Sequence, residues 1–280
     1  MEGSVPIPER LQQIVEAIES AEVVESAQLA KWMADSEIRA ADLASWGEFN
    51  HSPSDSYGRR ELYHGRFFSV RVMSWAAGDI SAIHDHGHAR WGAFMALGRA
   101  EHGIFSLQGE QLRTELREWL EPGEVRTVSP ALIHQLGNPG HEPLLTLHIY
   151  GNHDHRCREG SITDNARLFD LQRQAVVRVD GGAFFVLPPS KITRIDQGLC
   201  ADSITTLRYR VDTLSRLRQM GADEAFEQEL SRCSEVALWP DLLRDLPLES
   251  GSDSPLSSRH WHNIAHDLTH IARFQRSLRR

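Results

Sequence analysis

Cysteine is scarce in this 280-residue chain: Cys157, Cys200 and Cys233 are its only three, too widely spaced for a disulfide framework or a CxxC zinc site. They read as three reduced thiols. Positive charge is also in deficit, with 30 Lys and Arg against 39 Asp and Glu and a formal net charge of −9. No Lys/Arg-rich run precedes the short arginine-containing C-terminus, which argues against a phosphate backbone as partner. Long apolar runs are missing too. No stretch reaches the roughly 18 residues of a membrane span, and residues 1–20 have neither the basic start nor the apolar core of a secretory leader. The expectation is a cytoplasmic protein with no nucleic-acid and no membrane partner. Internal repeats and low-complexity blocks are absent.

The balance of 40% hydrophobic and 25% charged residues is that of a globular chain able to bury a sizeable core. Its length exceeds one small barrel, which predicts a β-rich domain flanked by helical material. Leu11, Ile14, Val15 and Ile18 fall at i, i+3, i+4 and i+7, and Leu29, Trp32 and Met33 continue the helical period, so residues 8–48 read as two or three helices. The Ser, Asp and Pro around 50–58 favour a loop. From Arg59 to Tyr150 the period changes to two, as in Phe68, Val70 and Val72, with glycines punctuating short runs. That pattern predicts a β-sandwich or small barrel, not a doubly wound sheet, which would need long helices between strands. A strand pair is expected at 175–179 and 183–187 across Asp180-Gly181-Gly182. Helical periods return at 203–220 and 259–278, joined by a Gly/Ser/Asp/Pro-rich linker at 249–258. The expected organisation is an N-terminal helical segment (1–56), a β barrel (57–190) and a C-terminal helical extension (191–280).

The chemistry concentrates in two segments. In Gly78-Asp-Ile-Ser-Ala-Ile-His84-Asp-His86, a strand would point His84 and His86 the same way, so both imidazoles could reach one metal. A third ligand is offered by His134, which follows an apolar run after Pro130 and precedes Gly137-Asn138. Together these segments resemble the two signature motifs of the cupin superfamily. Gly78, His84, His86 and Gly98 match the first; His134 and Asn138 match the second, with Pro130 one residue closer than usual. The resemblance implies a mainly β cupin fold, a double-stranded β-helix or jelly-roll barrel. Where most cupins carry a glutamate ligand, this chain has Trp91.

A three-histidine site without a carboxylate resembles the thiol dioxygenases, with cysteine dioxygenase as type member, over residues 57–152. Thr146-Leu-His148-Ile-Tyr150 is similar to that family's Ser-x-His-x-Tyr stretch, and alternation puts its three polar residues on one face. Tyr57-Gly58-Arg59-Arg60 is similar to its Tyr-x-Arg. The resemblance implies Fe(2+) as cofactor, a carboxylate-bearing thiol and O2 as co-substrates, and insertion of both oxygen atoms at sulfur to give a sulfinic acid. It implies that Arg59 or Arg60 pairs with the substrate carboxylate, and that His148 orients Tyr150, which stabilises the bound oxygen species. Animal members cross-link a cysteine to the tyrosine. Trp91 stands in that cysteine's place here, so no thioether forms there and Trp91 is expected to shape the substrate pocket wall.

Plainer readings stand beside these. His148 and Tyr150 could form an ordinary core pair, the two arginines could be solvated loop charges, and His88 is expected past the turn at Gly87, near the entrance. The His153-Asp-His155-Arg-Cys157 run reads as a polar loop. His262, His266 and His270 share one helix face and read as an exposed stripe, while the C-terminal helices are a candidate homo-oligomer surface. The competing functions are another metal-dependent cupin enzyme, a carbon-cleaving dioxygenase or an isomerase using manganese, nickel or zinc, and a ligand-binding cupin sensor.

Overall fold

A computed structural model describes residues 6–138, 140–154, 156 and 161–234. The linker at 249–258, the helix expected over 259–278 with His262, His266 and His270, and also His155 and Cys157, lie outside the described residues. Among the described residues, no helix is long and apolar enough to cross a membrane.

The helical periods of the N-terminal region become α1 (Glu9–Ser20), α2 (Ser26–Asp35) and the single turn α3 (Ala40–Leu43). Leu11, Ile14, Val15 and Ile18 of α1 and Leu29 and Met33 of α2 are buried. The strands are β1 (Gly58–His64), β2 (Phe68–Trp75), β3 (Trp91–Ala96), β4 (Ala100–Gln108), β5 (Gln111–Leu120), β6 (Val125–Val128), β7 (Ile133–Gly137), β8 (Leu144–Gly151), β9 (Ala166–Asp170), β10 (Ala175–Val179), β11 (Ile192–Gln197) and β12 (Cys200–Ala201). One sheet runs β1-β2-β8-β3-β6 and another β12-β5-β4-β7, with β11-β10-β9 as a smaller third. Placing β8 between β2 and β3, and β4 between β5 and β7, produces the wrapped, non-consecutive order of a double-stranded β-helix. The protein is mainly β, with a barrel of double-stranded β-helix order.

Every residue of β2, β3 and β8 is buried, although strand alternation alone would bury only one face. The reason is that α2 lies on β3 and β6. The helical stripes and the outward residues Val70, Val72, Trp91, Met95, Leu147 and Ile149 form one apolar cluster. Each such side chain stabilises the fold by about 1.5–3 kcal/mol through burial. The inward residues of the same strands, among them Trp75, Phe94 and Tyr150, belong to a second cluster inside the barrel.

Three local expectations are corrected. The strand pair at 175–179 and 183–187 does not form: β10 pairs with β9 on one edge and β11 on the other. The backbone of Ala183 is used elsewhere, its carbonyl accepting from Ala82 N–H at 3.0 Å and its N–H donating to the Tyr57 hydroxyl at 3.0 Å. The His84-Asp85-His86 segment is not a regular strand but an extended stretch tied by isolated bridges, His84 to His134 and His84 to Leu168. The third correction concerns the stretch after α4 (Ser203–Gln219), where a second helix, α5 (Asp223–Ser234), forms that the sequence reading did not single out. The helix α4 packs on β5. It docks through buried ion pairs: Arg208 with Glu101, Asp212 with Arg117, and Arg216 with Asp79.

Candidate metal centre

His84 and His134 exchange backbone hydrogen bonds, each N–H donating to the other's carbonyl at 2.9 Å. This narrow pairing sets the two imidazoles side by side. Asp85 anchors the segment from behind, its carboxylate accepting from Arg167 N–H at 2.7 Å and Arg167 Nε at 2.6 Å. Gly87 then turns the chain with φ +56°, and a Cβ there would stand 2.0 Å from the Asp164 carbonyl oxygen, so only glycine fits. These constraints bring one ligand nitrogen from each of His84, His86 and His134 within 4.8 Å of one another. Ring centroids lie 4.6 Å apart for His84–His134, 4.7 Å for His86–His134 and 5.2 Å for His84–His86. His88 lies past the turn, its N–H bonded to the Asp164 carbonyl, and is not in this group.

The electrostatics suit a cation. Burial holds the His84 imidazole down at about 4 and pushes His86 and His134 well below the usual histidine range. All three are therefore neutral donors near pH 7. His84 Nδ1 faces the Ala82 carbonyl at 2.8 Å, an acceptor only, so Nδ1 carries the proton and Nε2 keeps a lone pair. Both ring nitrogens of His86 are buried without a hydrogen-bond partner. An orphaned buried imidazole costs free energy unless something accepts its lone pair, and a metal ion held with His84 and His134 would do so. The residues fit such an ion, and among the described residues no carboxylate joins the three-histidine group.

Beside this group a small cavity of about 30 Å³ opens, lined by Tyr57, Arg59, Arg71, Met73 and Tyr150 together with His84 and His86, and roofed by 181–183. Tyr150 lies 5.1 Å from His86, ring centre to ring centre. Its hydroxyl is 2.6 Å from His148 Nδ1, and His148 Nε2 is 2.7 Å from the Thr146 hydroxyl. Trp75 Nε1–H donates to that hydroxyl at 2.9 Å. Two proton placements fit these contacts: with Thr146 donating to Nε2 and His148 donating from Nδ1 the Tyr150 proton faces the cavity, and with the reverse polarity Tyr150 donates to Nδ1 and Nε2 donates to Thr146. Burial holds His148 at about 3, reinforced by the charges of His84, Arg71 and Arg59, and raises the Tyr150 hydroxyl. His148 and Tyr150 are thus both neutral near pH 7.

The two arginines separate. Arg59 lines the cavity and has no ion-pair or hydrogen-bond partner among the described residues, whereas Arg60 is exposed and stands 3.9 Å from the Glu48 carboxylate. A second cavity arginine, Arg71, escaped the sequence reading. It is tied to Thr163 at 3.0 Å and Ser161 at 2.7 Å, so it serves as fixed positive charge in the wall.

Trp91 does not line the cavity. It pairs with Gly151 across β3 and β8, and its indole lies where a Cβ on Gly151 would fall, on the outer face beneath the helices. The residue opposite Tyr150 is Gly92, where a Cβ would stand 2.8 Å from Tyr150 Cδ1 and 2.7 Å from the Ile149 carbonyl oxygen. Trp91, expected in the pocket wall, thus lies on the opposite face of the sheet, and it is Gly92 that packs against Tyr150. His102, Glu118 and Phe94 were also missed. His102 Nε2 lies 3.0 Å from His134 Nδ1 and its Nδ1 lies 2.9 Å from Glu118. Phe94 is stacked 5.5 Å from His148 and set 5.6 Å from His134. The signal available for these was only that they occupy inward strand positions.

No family model matches the chain. Solved structures with similar folds include an oxalate oxidase in complex with glycolate (17% identity, 38% of this chain and 55% of that one, TM-score 0.31). Others are the cupin domain of Cnp3 from Schizosaccharomyces pombe (15%, 35% and 66%, TM-score 0.30) and a double-stranded β-helix protein from Klebsiella pneumoniae (16%, 48% and 86%, TM-score 0.30). The chain thus spans about half the length of the oxalate oxidase it matches. These neighbours are described as an oxalate oxidase, a cupin domain and a protein with a double-stranded β-helix domain.

Proposed function

We propose that the protein is an iron-dependent thiol dioxygenase that converts a small carboxylate-bearing thiol and O2 into the sulfinic acid. The observation that carries this reading is the neutral, hydrogen-bonded Thr146–His148–Tyr150 chain ending beside three imidazoles that have no carboxylate among them. A ferrous ion held by His84, His86 and His134 would supply open coordination positions and lower the thiol pKa.

The chain's own residues do the rest. Arg59 binds the substrate carboxylate, and its lack of an internal partner is what leaves it available for that contact. Arg71 adds positive charge to the same wall without moving. The Tyr150 hydroxyl donates a hydrogen bond toward the reacting oxygen, held in place by His148 Nδ1. Met73 and the 181–183 roof exclude water, which strengthens each of these contacts. The reaction RSH + O2 → RSO2H balances without an external reductant. The cavity is small, about 30 Å³, which favours a short thiol acid.

The test is anaerobic Fe(II) loading followed by a panel of thiols read by oxygen electrode and product mass. Thiol-dependent oxygen uptake with a sulfinate product is expected, with both lost in His134→Ala. Full uptake in that variant would contradict the reading.

A further inference from the structure

Cross-strand geometry gives His134 a supporting line that the three-histidine group itself does not account for. The strand β4 lies between β5 and β7, so His102 faces Glu118 directly in one register and sits diagonal to His134 in the other. Its Nδ1 is 2.9 Å from Glu118 Oε1 and its Nε2 is 3.0 Å from His134 Nδ1. Arg126, arriving from the opposite sheet, closes the line at Glu118 through Nε at 2.9 Å and Nη2 at 2.8 Å, and also stands 3.8 Å from Glu124. Phe94 packs edge-on against His102 at 5.1 Å.

The protons along this line have one consistent placement. A carboxylate only accepts, so His102 donates from Nδ1 and, as a neutral ring, accepts at Nε2. His134 must then donate from Nδ1, and its Nε2 lone pair is left facing His84 and His86. Hydrogen bonding of a ligand imidazole to a negative group raises its donor strength and fixes its orientation. We propose that Glu118, acting through His102, positions and strengthens His134 as a metal ligand, so that the centre receives through a second imidazole the negative charge its inner shell lacks. Arg126 moderates that charge. Both are positioning residues, since neither touches a ligand nitrogen. The proposal rests on the three-histidine site and not on the thiol reading, because its test needs neither thiol nor oxygen.

The experiment uses the full chain and three variants, Glu118→Gln, His102→Gln and Arg126→Gln. Fe(II) affinity is read by anaerobic competition with a chelator, and the Fe(III)/Fe(II) midpoint potential by redox titration. Glu118→Gln keeps an acceptor for His102 but removes the charge, and should weaken Fe(II) binding about 10–100-fold and raise the potential. His102→Gln keeps an acceptor for His134 but disconnects the carboxylate, and should match it. Arg126→Gln leaves Glu118 uncompensated and should lower the potential without weakening binding. A purely structural role would not move the two charge variants in opposite directions. Affinity within twofold and an unshifted potential in Glu118→Gln, or shifts of the same sign in Glu118→Gln and Arg126→Gln, would overturn the proposal. Should Glu118→Gln not fold, the absence of a downward shift in Arg126→Gln would overturn it alone.

Discussion

The five-stranded sheet has two faces built from alternate residues of the same strands, and they do different work. Along β3, Trp91, Ala93 and Met95 face the N-terminal helices, while Phe94 and Ala96 face the barrel interior. Along β8, Leu145, Leu147 and Ile149 go outward, and Thr146, His148 and Tyr150 inward. The outer face is apolar and adaptable. The inner face sets the polar Thr146, His148 and Tyr150 beside the apolar Trp75, Phe94 and Ala96. Trp91 over Gly151 and Gly92 under Tyr150 are adjacent cross-strand pairs on opposite faces, with the large and small residues exchanged between the strands. A slip of one residue in β3 would exchange the faces and erase the site.

Substitutions on either side should therefore separate stability from chemistry. The largest effect is expected on the outer face: Trp91→Ala should cost about 3–5 kcal/mol in urea unfolding while Fe(II) stoichiometry in the folded fraction is kept. Loss of the metal without loss of stability would break the comparison. On the inner face, Gly92→Val should displace the Tyr150 ring and lower kcat about 100-fold, with metal content retained. The adjacent pair on β1 sharpens the contrast. Arg59→Leu should raise KM for the thiol acid about 10–100-fold through loss of a charge-assisted contact, while Arg60→Leu, exposed beside Glu48, should leave it within twofold.

The smallest effect is with pH. Burial keeps His148 near 3 in the folded protein, against an ordinary value of 6.5. Between those values the unfolded chain binds a proton that the folded chain refuses, so stability falls as pH drops from 6.5 toward 3 and is unaffected by this group above 6.5. Thermal unfolding of the metal-free protein should show that slope added to those of the buried His84, His86, His102 and His134, and His148→Gln should make the total shallower without abolishing it.

Much of the site was legible because its signals are local. His84 and His86 are two residues apart, Thr146, His148 and Tyr150 follow strand alternation, and His134 sits in a short motif of its own. The misplacement of Trp91 has a definite cause. The expectation rests on the motif position Trp91 shares with the family's cysteine, whereas β3 leaves the turn at Gly87 (φ +56°) with Trp91 on its outer face. His102, Glu118 and Arg71 were illegible for a different reason. Their partners lie on other strands, and only the register of β4 against β5 and β7, or of β2 against β8, brings them together. The apolar run at 183–187 has strand-like composition, but Tyr57 and Ala82 occupy the backbone groups of Ala183, and β11 takes the sheet edge. The burial of Arg208, Asp212 and Arg216 in α4 was likewise hidden, since three charged residues on a helix read as a solvated face until their partners on the barrel are known.

The most direct measurement is turnover of a short thiol acid by the Fe(II)-loaded protein under oxygen-18 gas, with the product weighed by mass spectrometry. The account predicts a sulfinate carrying two heavy oxygen atoms, one O2 consumed per thiol. A disulfide, or a product with one heavy atom and one from water, would contradict it.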